Sequence, residues 1–122
     1  MKRAPYLLGC SALVMLLLAC EKKTFPPVPV DPNTPVSYTT DIQPMWNKSC
    51  IGSGCHDGSI PPNLTADKSY SALVDGGMVD TLKPKESTLM IKLNSNMPPS
   101  GKLSAADINK VEAWITQGAK QN

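Results

Sequence analysis

Cys50-Ile51-Gly52-Ser53-Gly54-Cys55-His56 is the stretch on which the reading of this chain turns. Two thiols separated by four residues are followed at once by His56, the sole histidine among 122 residues. Two cysteines closed by a histidine are what covalent attachment of a haem requires. Each thiol captures one vinyl group of the porphyrin edge, and the next residue is held beneath the iron, where an imidazole binds it. The usual spacing is C-x-x-C-H, so this spacer is two residues longer. Gly52 and Gly54 make up half of it. Glycine tolerates backbone shapes closed to other residues, so the extra length is expected to bulge away without displacing either sulfur.

Two rival readings of the same residues remain open. A Cys50–Cys55 disulfide would staple a small exported binding or structural module, but it assigns no task to His56. A structural zinc needs four ligands, and the chain beyond its leader offers only Cys50, Cys55 and His56 as soft donors, two of them adjacent.

The other two cysteines follow from the N-terminus. Lys2 and Arg3 precede an apolar run that closes with Leu17-Leu18-Ala19-Cys20. A basic start and a short apolar stretch are the marks of an export signal. The small residue before Cys20 is what a bacterial lipobox presents for cleavage and acylation. Residues 1–19 are therefore expected to be a lipoprotein signal peptide and Cys20 the lipidated N-terminus. Cys10 leaves with the signal, and no thiol is left over. Export places the remaining pair where thiols become disulfides or are consumed by a cofactor. The expected location is a bacterial membrane, with the domain facing the periplasm or the cell surface.

Residues 20–37 form a linker. Pro26, Pro27, Pro29, Pro32 and Pro35 fall in the nearly uncharged run from Thr24 to Ser37, which favours extended polyproline II at about 3.1 Å per residue. It reads as a semi-rigid stalk of roughly 40 Å. Residues 38–122 form the domain. Eight lysines balance eight acidic residues there, and there is no basic stripe to suggest a nucleic-acid partner.

The domain is expected to be all-α. Thr40 is placed to cap a first helix, with Gln43 as its capping-box partner and Pro44 within the first turn. Ile42, Met45, Trp46 and Ser49 share its apolar face, and it ends near Cys50. Gly52, Gly54, Gly58, Pro61 and Pro62 mark a loop. A short helix over 68–74 stops at Gly76-Gly77, and another spans 87–93. Pro98-Pro99 stiffens a second loop over 94–101. The last helix is capped by Ser104, carries Ile108, Val111, Trp114 and Ile115 on one face, and stops at Gly118. A domain of this size buries little surface in proportion, and an apolar ring at its centre would supply what its few large side chains lack.

A haem in an electron carrier takes a methionine sulfur as its second axial ligand. Met45 and Met90 fall on apolar helical faces, and Met78 follows two glycines. Met97 stands in Asn96-Met97-Pro98-Pro99-Ser100-Gly101, where the following proline disfavours helix and restrains the sulfur. Met97 is the expected ligand.

The order of first helix, Cys50…Cys55-His56, Pro62-Asn63-Leu64, Met97-Pro98-Pro99 and a Trp-bearing last helix resembles class I cytochrome c. More narrowly, it is similar to small lipoprotein cytochrome c domains of Bacteroidetes-type bacteria, in which the four-residue spacer recurs. The resemblance spans residues 38–118. It implies a small helical domain wrapped around one haem c. Cys50 and Cys55 would form the thioethers, with His56 the proximal and Met97 the distal ligand. It implies further that the Pro62 carbonyl accepts a hydrogen bond from the His56 ring, although Pro61 stands where the family has glycine. It also implies that the first and last helices cross, bringing Trp46 and Trp114 near one another.

The function expected is single-electron transfer between redox protein partners by a membrane-tethered carrier with both axial positions filled. No residue is then needed as acid or base, and no enzymatic activity is expected.

Overall fold

The computed structural model describes residues 30–31, 33–95, 97–101 and 103–122. The expected signal peptide, Cys20 and the linker up to Pro29 lie outside the described residues. What is described is helical, with no strand, and among these residues no helix is long and apolar enough to cross a membrane.

A π-turn over Tyr38–Ile42 leads into helix α1, Gln43–Ser49. The cap is not Thr40. Ser37 Oγ accepts from Thr40 N (3.2 Å), while Ser37 N donates to Asp41 Oδ2 (2.9 Å), so cap and acid satisfy each other one turn earlier than the spacing suggests. Gln43, the expected capping partner, is spent elsewhere. Its amide donates to Asn47 Oδ1 (2.8 Å) and to the Leu64 carbonyl (3.1 Å), and its oxygen accepts from Ser69 Oγ. Ser69 in turn accepts from the Tyr38 hydroxyl (2.7 Å). This buried chain ties the π-turn, α1 and the loop at Leu64 to the next helix. Burial raises the Tyr38 hydroxyl above its usual range, and the bond to Ser69 partly offsets the shift.

Helix α2, Ser69–Leu73, is short and buries Leu73 completely. Gly76 donates back to the Ser71 carbonyl (3.0 Å), and Gly77 adopts φ +72. A Cβ at Gly76 would sit 2.2 Å from the Ala72 carbonyl oxygen, and that oxygen belongs to the backbone. Gly76→Ala is therefore expected to cost on the order of 1–3 kcal/mol, the range for forced overpacking. Gly77→Ala, which meets nothing within 4 Å, carries only its positive-φ strain. Denaturant midpoints of the two variants check the order.

A 3-10 turn, Pro84–Glu86, precedes helix α3, Thr88–Ser95. Ser87, expected inside the helix, stands just before it. Its hydroxyl accepts from Asp80 N (2.9 Å), closing the preceding loop, and its carbonyl accepts from Ile91 N. α3 buries Leu89, Met90 and Leu93.

Helix α4, Ala105–Thr116, matches its sequence signals closely. Ser104 Oγ accepts from Asp107 N (3.1 Å) and donates to Asp107 Oδ2 (2.7 Å). The far end is a Schellman motif: Ala119 N bonds the Trp114 carbonyl and Gly118 N the Ile115 carbonyl, with Gly118 at φ +96. α4 packs against α3, the 3-10 turn and the π-turn. It thus meets the start of the first helical segment, where Lys110 pairs with Asp41 at 3.6 Å. Trp114 stacks on tyrosines, with ring centroids 5.1 Å from Tyr38 and 6.5 Å from Tyr70. Val36, Ile42, Trp46, Leu64, Leu73, Met90, Val111 and Ile115 complete one continuous core. At about 1.5–3 kcal/mol per fully buried large apolar side chain, this cluster is the main stabilising term.

The segment before α1 is stitched to the C-terminal residues. Gln117 accepts from Val36 N (2.9 Å) and donates to the Thr34 carbonyl (2.9 Å), while the Asn122 carbonyl accepts from Thr39 N (2.9 Å).

Candidate functional site

Cys50 closes the last turn of α1, with its N–H on the Trp46 carbonyl at 2.8 Å. It is 9% exposed, a member of the core. Cys55 is exposed, and both are free thiols. The spacer between them folds as a tight turn: Cys55 N donates to the Gly52 carbonyl (2.9 Å), and Gly54 takes φ +77 at the third position. That positive φ is what a type II turn demands there. His56 N then reaches back to the Cys50 carbonyl (3.1 Å). The spacer is thus a closed loop that returns the chain to its starting point. The additional length does not carry His56 away from Cys50.

Asp57 braces this loop. Its carboxylate accepts from Ser59 N (3.0 Å) and Gly54 N (3.3 Å), and the Ser59 bonds, followed by the one from Gly54, hold its ionisation below the usual carboxylate range. Sequence reasoning missed Asp57. The signal available was an Asx-type residue two positions after a turn.

His56 is half-buried, and its Nδ1 lies 3.0 Å from the Pro62 carbonyl and 3.1 Å from the Ile60 carbonyl. Carbonyl oxygens only accept, so Nδ1 carries the hydrogen. The neutral ring therefore presents the lone pair of Nε2. The Pro62 carbonyl is one acceptor and the Ile60 carbonyl a further one that no motif announced. The acceptor segment is itself pinned, since Leu64, 4% exposed, donates to the His56 carbonyl at 2.8 Å.

The four candidate methionines separate by environment. Met90 is 2% exposed within the core, and Met45 and Met78 pack against it. Met97 is half-buried and does not belong to that packed set. Its N–H bonds the Lys92 carbonyl (3.1 Å) at the end of α3, and Gly101 N closes on the Pro98 carbonyl (3.2 Å) just beyond. Its backbone is therefore fixed on both sides, while its sulfur is not committed to the core.

Beside the His56 acceptors opens a cleft of about 600 Å³ walled by Gly58, Pro62, Asn63, Ala72, Gly76 and Met78. Trp46, on the helix that ends at Cys50, is fully buried, and its Nε1 has no partner at hydrogen-bonding geometry. The Tyr38 hydroxyl, which donates to Ser69, lies near enough for its oxygen to feel the indole N–H, but not at hydrogen-bonding geometry. Among the described residues no three His, Cys, Asp or Glu side chains converge as a metal site.

The two thiols differ in reactivity. Burial, then the neighbouring Cys55, pushes Cys50 up from 9.0 to about 11, so near neutral pH its thiolate is about a hundredfold scarcer than that of an ordinary cysteine. In the reduced, haem-free chain, iodoacetamide is expected to modify Cys55 first and Cys50 only slowly, as peptide mapping would show. The folded chain keeps the Cys50 proton to higher pH than the unfolded chain does. This group's effect is therefore absent below pH 9 and lowers stability as pH rises from 9 towards 11.

Comparison with known protein families, curated proteins and solved structures returns no match.

Proposed function

We propose that this chain is a mono-haem c-type electron-transfer protein, tethered to a bacterial membrane by lipid on Cys20. In this reading Cys50 and Cys55 would hold haem c by thioethers, and His56 and Met97 would ligate its iron. The observation that carries this reading is the His56 ring. With Nδ1 committed to Pro62 and Ile60, its orientation is set and Nε2 is left as the donor. A second-shell carbonyl of this kind also raises the basicity of a ligating imidazole. The closure of His56 on Cys50 and the sulfur of Met97, outside the packed core, support the same assignment.

Haem bound between His and Met supplies reversible one-electron chemistry at iron, with a potential raised by the Met ligand. The protein's part is to hold the two ligands, exclude water and present the site to redox protein partners. His56 is the sole histidine and in this reading is spent as a ligand, so no histidine remains for acid–base work.

The test is expression with the export signal and cytochrome c maturation machinery, followed by denaturation. Haem that migrates with the unfolded polypeptide is expected. Colourless protein carrying an intact Cys50–Cys55 disulfide would overturn the reading in favour of a stapled binding module.

A further inference from the structure

Gln43 opens α1 and Cys50 closes it. From one to the other the hydrogen bonds run through the His56 loop and return. Cys50 N donates to the Trp46 carbonyl (2.8 Å), His56 N to the Cys50 carbonyl (3.1 Å) and Leu64 N to the His56 carbonyl (2.8 Å). The Leu64 carbonyl then accepts from Gln43 Nε2 (3.1 Å), which closes the circuit on α1. Leu64 is thus held on both sides, by His56 through its N–H and by Gln43 through its carbonyl. Shortly before it stands Pro62, whose carbonyl is 3.0 Å from His56 Nδ1. Proline fixes φ at both Pro61 and Pro62, and Asn63 Oδ1 accepts from Thr65 N (3.0 Å) across Leu64. A shift of the Leu64 peptide is therefore passed on to the Pro62 carbonyl.

Gln43 is 7% exposed, and an amide buried to that degree costs free energy unless its polar atoms are satisfied. Here all of them are. One Nε2 hydrogen goes to Leu64 and the other to Asn47 Oδ1 (2.8 Å), while the oxygen accepts from Ser69 Oγ, itself held by the Tyr38 hydroxyl. The Leu64 carbonyl can only accept, which fixes the end of the amide that faces it. An apolar side chain would fill the same space without these partners, but it would leave the Leu64 carbonyl unheld.

We propose that Gln43 is a positioning residue for His56. Through the Leu64 peptide it holds the Pro62 carbonyl against Nδ1, and so sets the orientation and basicity of the imidazole from the helix that ends at Cys50. The placement of the ring follows from these bonds, and the effect on a reduction potential rests on the haem reading given above.

The direction of that effect separates positioning from packing. An acceptor on Nδ1 makes a ligating imidazole more basic, and a more basic ligand favours ferric iron and lowers the potential. Releasing the Pro62 carbonyl therefore raises the potential. Plain loss of packing works the other way, because water reaching the haem stabilises the ferric charge and lowers the potential.

His56 is the sole histidine, so isotopically labelled histidine reports one imidazole. In the full-length, haem-loaded chain in detergent, reduced to the diamagnetic ferrous state, the Nδ1 hydrogen is read by its exchange with deuterium. Gln43→Met keeps the bulk and removes the amide. It should speed that exchange on the order of tenfold, the scale of one hydrogen bond lost to a buried carbonyl, and raise the potential, with far-ultraviolet circular dichroism unchanged. Gln43→Asn, whose amide falls one methylene short of Leu64, should act in the same direction, so that misfolding of one variant does not decide the result. Ser69→Ala breaks the same buried network at Gln43 Oε1, away from Leu64, and should leave both readings near those of the unsubstituted chain. The label also reports Nδ1 in the reduced, haem-free chain. A chain that takes up no haem therefore overturns the haem reading alone, and the exchange rate in the Gln43 variants still decides the role of Gln43. Unchanged exchange in a folded Gln43 variant overturns the proposal, as does a lowered potential, or a Ser69→Ala variant that reproduces both effects.

Discussion

Trp114→Ala is expected to lower the melting temperature by roughly 15–30 °C. Trp114 is 1% exposed, stacks on Tyr38 and Tyr70, and donates its Nε1 hydrogen to the Lys120 carbonyl at 2.9 Å. Truncating a fully buried tryptophan costs about 3–5 kcal/mol, and in a domain of 60–100 residues each kcal/mol moves the midpoint by about 4–8 °C. Total stabilities are only about 5–15 kcal/mol, so the variant retains little margin at 37 °C. The loss also reaches the C-terminal residues, because the Lys120 carbonyl then loses its partner, leaving the Tyr70 hydroxyl bond to the Ala119 carbonyl (2.9 Å) and the bonds from Ser37, Tyr38 and Thr39 to Asn122 to hold the segment. Thr116→Ala, on the exposed side of the same helix, should stay within about 0.5 kcal/mol. Thermal scans of the two variants decide it, and a Trp114→Ala midpoint within a few degrees of the original would contradict the packing account.

Met97→Ala is the second large effect, and it concerns the site. In the haem-loaded protein it should abolish the methionine-to-iron charge-transfer absorption and lower the reduction potential by tens to hundreds of millivolts, part of the ~0.8 V range that axial ligation spans. Folding should be nearly unaffected, since Met97 is not among the residues packed on the core. Met90→Ala should behave in the opposite way. Its 2% exposure predicts a stability loss of about 2–5 kcal/mol with the absorption band retained. An unchanged spectrum in Met97→Ala would transfer the ligand role to Met45, Met78 or Met90.

The helices that matched their sequence signals are those whose signals are local. Ser104, Asp107 and Gly118 act on backbone groups within one turn, and the structure uses all three. The first helix did not follow, because its start is decided over long distances. Ser37 donates its hydroxyl to the Asn122 carbonyl and pairs with Asp41, and Gln43 is drawn into the bonds with Ser69 and Leu64. A capping-box pattern read from Thr40 and Gln43 contains none of those partners. Trp46 and Trp114 were expected to meet, yet the ring partners of Trp114 are tyrosines on the π-turn and α2. Helix spacing places a residue on a face but does not choose what covers that face.

At the site, the residue types were legible and the geometry was not. Two thiols, a lone histidine and a loop methionine are visible as letters, because metal and thioether chemistry depend on element and charge. That Gly54 would turn the spacer back on itself, and that Ile60 would share the His56 hydrogen with Pro62, depended on tertiary closure of the loop.

By itself, then, the sequence determined that the described residues are helical, with no strand among them, and that Cys50, Cys55 and His56 cluster, since helix periodicity, caps and donor chemistry are properties of neighbouring residues. Only the tertiary structure decided that Nδ1 of His56 is the protonated nitrogen, that Cys50 is buried while Cys55 is open, and that Met97 stands apart from the three packed methionines. Burial and hydrogen-bond partners are set by residues distant in the chain, and those meet only when the core forms.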